Sequence, residues 1–322
     1  MENPLPNLVR LEASSMCQLH CPLCPTGQGK NRMGVVGWGY LKFEDFKKFI
    51  EDSPQIRKIE LSNWGEIFLN PQLKDILEYA FSKDIALTAR NGVNLNNVSS
   101  EMLECLVKYK FKYLNISLDG TTNKSYQTYR RGGNFQRVIK NIKAINHFKK
   151  LYNADFPRLF WQFVVMGHNE KKLPRAKQMA QALNMEFLPK LNWDPLFSPV
   201  QNAEFVRKET GLNVVSRDEF MQKNKRAYFS PCSQLWQTPQ INWDGKLLGC
   251  CVNIWGDFGN VFREGFAKCL QGEKYVYAKR MLMRKEKIRG DIPCSQCGYY
   301  RRILGGKCGL AKSGHPVPNI MG

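Results

Sequence analysis

No apolar run in these 322 residues approaches the roughly 18 needed to cross a bilayer. The opening residues, Met1-Glu2-Asn3-Pro4, lack the basic-then-apolar layout of a secretion signal. A cytoplasmic protein without a membrane span is therefore expected. Histidine is scarce, four in all; His147 and His168 stand alone, and a lone histidine is more often structural than catalytic. No recognisable nucleic-acid module is present, which makes nucleic acid an unexpected partner. Acidic residues are few, 28 against 48 Lys and Arg, for a net charge of +20. That excess either forms a solvated basic surface or steers the protein to an anionic substrate, a membrane surface or an acidic electron donor. It is densest from Arg280 to Arg302.

Cysteine is not scarce. Eleven cysteines in a compartment that keeps thiols reduced argue for metal ligation over disulfides. Three of them, Cys17, Cys21 and Cys24, fall within eight residues at C-x3-C-x2-C spacing, directly after the strand-like run Leu8–Ala13. Thiolates suit zinc or an iron–sulfur cluster, and one short loop can wrap one such centre. A structural zinc would need a fourth ligand, for which His20 is the local candidate. Three ligands alone suit a cluster that offers one iron to another molecule.

Forty-three per cent hydrophobic residues are ordinary for a globular chain with a sizeable core. After a Gly-rich stretch (Gly27 to Gly39), expected to form a flap, apolar residues alternate between helical and strand periods. Helical faces include Phe43, Phe46, Phe49 and Ile50, then Leu73, Ile76, Leu77, Ala80 and Phe81. Further helices are expected near residues 102–107, 135–145 and 173–183. Strands are expected at 56–61, 85–89, 113–118, 159–165 and 186–191, six with the one at Leu8. Repeated β-then-α units predict parallel strands with helices outside, and six units predict a partial (β/α)6 TIM barrel with chemistry at the C-terminal strand ends. The polar segments fall at those ends.

With the strands placed, the chain resembles the radical S-adenosylmethionine (SAM) enzymes. In that family three cysteines at C-x3-C-x2-C hold a 4Fe–4S cluster whose fourth iron takes SAM's amino and carboxylate groups. Trp64-Gly65-Glu66 is similar to the family's Gly-Gly-Glu segment, with Trp64 in place of the first Gly, so Gly65 and Glu66 are implied near the SAM amine. Asn91-Gly92 resembles the end of the family's third strand. Ser117-Leu118-Asp119-Gly120 with Tyr129-Arg130-Arg131-Gly132-Gly133 resembles its fourth, implying Ser117 and Arg130 at the SAM carboxylate. Gln162 and Asn169 stand where relatives meet the ribose or adenine. Leu23 replaces a residue that is often aromatic.

Residues 192–229, with Pro195, Pro199, Gln201 and Asn202, are expected to be a linker between the barrel (1–191) and a small cysteine-rich region (230–322). There, Cys250 follows Cys232 by 18 positions, and Cys294 and Cys297 form a C-x2-C pair. Trp243-Asp244-Gly245 predicts a hairpin turn between two short strands. Cys250 and Cys251 would then face opposite sides, and Cys250 is the preferred ligand. The region resembles the auxiliary-cluster domains called SPASM and its shorter form, twitch, implying a second 4Fe–4S cluster on Cys232, Cys250, Cys294 and Cys297; a zinc ribbon on the same four is the alternative. Only Cys308 follows, so a further auxiliary cluster would lack ligands. Cys105 and Cys269 are expected as small core residues.

The resemblance implies an oxidoreductase that cleaves SAM reductively and abstracts a substrate hydrogen, with flavodoxin or ferredoxin as donor and the auxiliary cluster taking up an electron. With 16 residues before Cys17, no peptide-recognition domain is expected ahead of it. That points to a small molecule such as a sugar or aminocyclitol. A ribosomal-peptide maturase comes second, with epimerisation through Cys251 or Cys308 as a competing outcome; a zinc-stabilised RNA-binding protein is third.

Overall fold

The computed structural model describes residues 5–305. Its strands are β1 (Leu8–Leu11), β2 (Lys58–Glu60), β3 (Ala86–Val93), β4 (Tyr113–Ser117), β5 (Arg158–Val165), β6 (Met185–Leu191) and β7 (Gln240–Ile241). Between the first six lie α1 (Phe43–Glu51), α2 (Leu73–Ser82), α3 (Ser100–Lys108), α4 (Asn123–Gln127), α5 (Phe135–Leu151) and α6 (Leu173–Ala182). Then follow α7 (Ala203–Thr210), α8 (Arg217–Asn224), α9 (Gln234–Gln237), α10 (Val261–Glu264), α11 (Phe266–Gln271), α12 (Glu273–Leu282) and α13 (Gly298–Leu304).

The strands form one sheet in the order β6-β5-β4-β3-β2-β1-β7. The pairs β1–β2, β2–β3, β4–β5 and β5–β6 are parallel, as β–α alternation predicts. β5 buries every residue except Arg158, the pattern of a strand covered on both faces. A short strand ahead of the turn at Trp243 was expected, but its joining this sheet was not. β7 is the first arm of the hairpin at Trp243, and it lies parallel to β1 through Arg10–Gln240 and Leu11–Ile241. The return arm makes only isolated bridges, at Leu247 and Lys246.

By contact density the chain falls into two compact units. One comprises the described residues of Met1–Met16, Gly29–Thr88 and Phe229–Gly322; the other comprises Cys17–Gln28 and Ala89–Tyr228.

In the first unit α1 buries Phe46, Phe49 and Ile50. Phe49 meets Phe262 and Phe266 edge-on, at 6.2 and 5.7 Å. α2 buries Leu73, Ile76, Leu77 and Ala80, each such side chain larger than Ala stabilising by about 1.5–3 kcal/mol. Phe81, expected on that face, is 45% exposed, because the eighth position has rotated off the stripe. The Gly-rich stretch is pinned at its C-terminal end rather than free to flap. Asn242 Nδ2 and Trp243 Nε1 both donate to the Val36 carbonyl, and the Ser15 hydroxyl donates to the carbonyl of Gly37. Gly39 lies so close to the Trp243 ring that a Cβ there would stand 2.5 Å from it.

In the second unit, Asn134 caps α5 by accepting from Arg137 N, and Phe135, Val138, Ile142 and Ile145 form its buried face. Trp161, fully buried on β5, donates from Nε1 to the Leu118 carbonyl at 2.8 Å. Residues 192–229 are not an open linker: they carry α7 and α8, capped by Asn202 and Ser216. Each has eight residues and a single buried anchor, Val206 or Phe220, too little for a readable helical period.

Candidate active site

The cysteine loop belongs to the second unit, where donors gather around its sulfurs. Leu19 N approaches Cys17 Sγ at 3.5 Å, Asn94 Nδ2 approaches it at 3.8 Å, and Arg130 Nη1 lies 3.9 Å from Cys21 Sγ. His20 N donates to the Arg131 carbonyl at 3.0 Å, tying the loop to the segment after α4. Cys21 is buried, while Cys17 and Cys24 are partly exposed. His20, the candidate zinc ligand, is exposed. Among the described residues no three His, Cys, Asp or Glu side chains are gathered to hold a single metal ion. A cubane carries an iron for each thiolate and takes sulfurs set wider than one ion does; the N–H···S donors suit the negative charge it brings.

Arg130 is held by Asp119, a residue at the end of β4 absent from the expected site. Asp119 is fully buried; Oδ2 accepts from Arg130 Nε at 2.6 Å and Oδ1 from Val164 N at 2.7 Å. The signal in the sequence was a carboxylate straight after the expected strand residues Ile116-Ser117-Leu118. Asn169, expected beside the adenosine, has its side chain committed to backbone. Nδ2 donates to the carbonyls of Asp119 and Val164, and Oδ1 accepts from Met166 N. In this geometry it fastens the β5 end.

Asn91, Ser117 and Gln162 do come together, because parallel register aligns Ser117 with Gln162. Gln162 Nε2 donates to the Asn91 carbonyl at 3.2 Å and lies 3.5 Å from Ser117 Oγ. Gln162 Oε1 is buried without a hydrogen-bond partner among the described residues. An orphaned acceptor at the C-terminal end of the parallel strands fits a donor such as a ribose hydroxyl or the adenine amine.

In the first unit the Trp64-Gly65-Glu66 turn is built on Glu12, a second residue that the sequence reading passed over. Glu12 is fully buried at the end of β1 and accepts from Trp64 N at 3.0 Å and Gly65 N at 3.2 Å. Burial pushes its carboxyl up to about 8, against the lowering pull of those two N–H groups. Only glycine fits at position 65: a Cβ would stand 2.2 Å from the Ser14 carbonyl and 2.5 Å from that of Met16. Glu66 is buried rather than a solvated loop carboxylate. Its backbone N donates to the Met16 carbonyl at 2.7 Å, and its side chain caps the following turn through Phe68 N.

The second cysteine group lies wholly in the first unit. Cys232, Cys250, Cys294 and Cys297 line one pocket, walled by apolar residues including Leu235 and Val252. Burial, reinforced by mutual repulsion, pushes the Cys232 and Cys294 thiols up to about 12, and Cys250 is raised as well. Thiols so reluctant to ionise would become thiolate ligands only as a bound metal displaces their protons, which are released. Cys251 is not part of this lining. Its N donates to Gln234 Oε1 at 2.7 Å and its carbonyl accepts from Asn63 Nδ2 at 3.0 Å. The expected reason for separating it from Cys250 was strand alternation, but both residues lie outside any strand. Cys308 falls outside the described residues. Cys105 and Cys269 are buried, His147 is exposed on α5, and His168 Nδ1 pairs with Ser198 Oγ at 2.9 Å.

Residues 11–172 match the model of the radical SAM superfamily, and residues 232–298 match SPASM, an iron–sulfur cluster-binding domain. The chain is 26% identical over 285 residues to the antilisterial bacteriocin subtilosin biosynthesis protein AlbA of Bacillus subtilis. That match covers 82% of this chain and 59% of AlbA, so the chain spans well under two thirds of that relative. It is also 26% identical over 236 residues to a probable GTP 3′,8-cyclase of Methanocaldococcus jannaschii, covering 68% of this chain and 71% of the cyclase. Among solved structures, Streptococcus suis SuiB bound to S-adenosylmethionine shares the fold with a TM-score of 0.65 at 12% identity, over 96% of this chain and 77% of SuiB. BtrN in complex with AdoMet and 2-DOIA shares it at 0.52 and 12% identity, over 92% and 94% of the two chains. The cofactors that go with these domains are SAM, its 4Fe–4S cluster and auxiliary iron–sulfur binding. By the span of that match, this chain belongs to the radical SAM superfamily and carries a C-terminal SPASM domain.

Proposed function

We propose that this radical SAM enzyme oxidises a peptide by two electrons, the maturase reading that sequence alone ranked second. The observation that carries it is the likeness to a bacteriocin-biosynthesis protein, which runs over 82% of the chain. Cys17, Cys21 and Cys24 would hold the cluster that, with SAM, supplies a 5′-deoxyadenosyl radical for hydrogen abstraction. Arg130, fixed by Asp119, and Ser117 serve the SAM carboxylate. Glu66 and Gly65, on the turn that Glu12 shapes, serve its amine, and Asn91 and Gln162 receive the adenosine. Cys232, Cys250, Cys294 and Cys297 would hold an auxiliary cluster able to accept an electron. The functional division follows residues 1–191 and 230–322.

Mass spectrometry of a candidate precursor peptide, incubated with the reduced, iron-loaded enzyme and SAM, tests this reading. The expected product is lighter by two hydrogens per modification, with one SAM consumed for each. An unchanged mass in water, with one solvent deuterium gained in deuterated water, would show epimerisation and sink the oxidase reading. Loss of two hydrogens from a sugar or aminocyclitol, with peptides untouched, would favour the second reading. That reading draws on the four cysteines lining a single pocket, the twitch-like arrangement.

For electron delivery we propose an acidic flavodoxin or ferredoxin on the surface around α13. Arg280 is paired with Glu286, Arg289 with Glu273 and Asp291, and the Arg284 guanidinium donates to the Ile303 carbonyl. The exposed charge lies on Lys285, Lys287, Arg301 and Arg302. Reversing Lys285 and Lys287 to Glu is expected to slow turnover with the protein donor roughly tenfold at low salt and leave dithionite-driven turnover intact. Equal loss with both donors would refute the docking site.

A further inference from the structure

Tyr129 is 1% exposed, and its hydroxyl has no hydrogen-bond partner among the described residues. Its ring is fully explained by packing: it meets Phe197 at 5.8 Å and Trp193 at 6.3 Å, both edge-on, and the Arg130 guanidinium lies 5.1 Å above it. A phenylalanine would pack equally well there. The oxygen is the anomaly, because a buried donor left unsatisfied costs about 1–3 kcal/mol. The side chain belongs to the same packed cluster as Leu19 and Cys21, against which Cys17, Leu23 and Cys24 also pack. Leu19 N, Asn94 Nδ2 and Arg130 Nη1 in this patch are donors directed at cysteine sulfurs, while Gln18 Oε1 lies 3.9 Å from Cys17 Sγ as an acceptor.

We propose that the Tyr129 hydroxyl donates a hydrogen bond to sulfur of the cluster held by Cys17, Cys21 and Cys24, and so sets how readily that cluster takes an electron. The inference rests on the ligand role proposed for those three cysteines. Reduction adds negative charge to the sulfurs, so a donor there stabilises the reduced state more than the oxidised one and raises the reduction potential. Tyr129 is a tuning residue in this reading, acting through the cluster's potential.

The test is a redox titration of the reconstituted full-length protein, following the electron paramagnetic resonance signal that changes on adding SAM. Tyr129→Phe is expected to keep its iron and sulfide while the midpoint moves to a more negative potential. Incorporating 3-fluorotyrosine at position 129, a stronger donor of nearly the same shape, is expected to move it the opposite way. Midpoints unmoved in both proteins would overturn the proposal and leave Tyr129 as packing. If Tyr129→Phe loses iron, the fluorotyrosine protein alone decides, by the sign of its shift. A SAM-sensitive signal that survives replacement of all three cysteines would instead overturn the ligand assignment beneath the proposal.

Discussion

Replacing Cys17, Cys21 and Cys24 together with alanine is expected to abolish reductive SAM cleavage and leave about half of the bound iron in place. The loop should survive, because it is not held by its sulfurs. His20 N bonds the Arg131 carbonyl and Cys24 N bonds the Cys21 carbonyl, and neither involves a thiol. Leu19, Val164 and Met166 form most of the apolar cluster around Cys21, and an alanine Cβ keeps part of that packing. The second cysteine group lies in the other compact unit, so its iron should persist. Iron and acid-labile sulfide analysis, alongside an assay for 5′-deoxyadenosine, reads both halves of the expectation. Residual cleavage in the triple variant would refute the first assignment, and loss of all iron would refute the independence of the second.

Removing Asp119 is expected to have the next largest effect. Its carboxylate is fully buried and satisfies both Arg130 Nε and Val164 N, while the Arg130 side chain is only 15% exposed. Asp119→Ala therefore leaves a nearly buried cation unpaired and a β5 amide without an acceptor. Breaking a buried pair from one side costs roughly 3–5 kcal/mol, because the remaining charge still bears its desolvation. Asp119→Asn keeps an acceptor for Val164 N and weakens only the charge pairing, so its loss of stability should be smaller. Its SAM affinity should still fall, about tenfold or more, because Arg130 is no longer held by a full charge. Thermal denaturation and calorimetric SAM titration separate the two effects. An alanine variant within about 1 kcal/mol of the parent would show that the pair contributes little.

Much of this architecture was legible in the residues. Leu73, Ile76, Leu77 and Ala80 mark a helix by spacing alone, and the β–α alternation implied parallel pairing, which β1–β2 and β5–β6 show. The C-x3-C-x2-C loop and the separated cysteines of the C-terminal region pointed to clusters before any geometry was available. Short elements with one buried anchor, such as α7 and α8, were not legible, nor was the pairing of β7 with β1, which joins residues some 230 positions apart.

What the sequence determined by itself was local: which segments are helices or strands, which cysteines are spaced as ligands, and which polar clusters end strands. Periodicity and spacing act over a few residues and survive in the unfolded chain. Only tertiary structure decided that Glu12 supports the Trp64-Gly65 turn, that Asp119 holds Arg130, that the Asn169 amide is spent on backbone, and that the Tyr129 hydroxyl is buried with no acceptor among the described residues. These roles depend on which distant groups are brought near one another with water excluded. The free energy of a buried polar atom is set by those neighbours, and its place along the chain does not encode them.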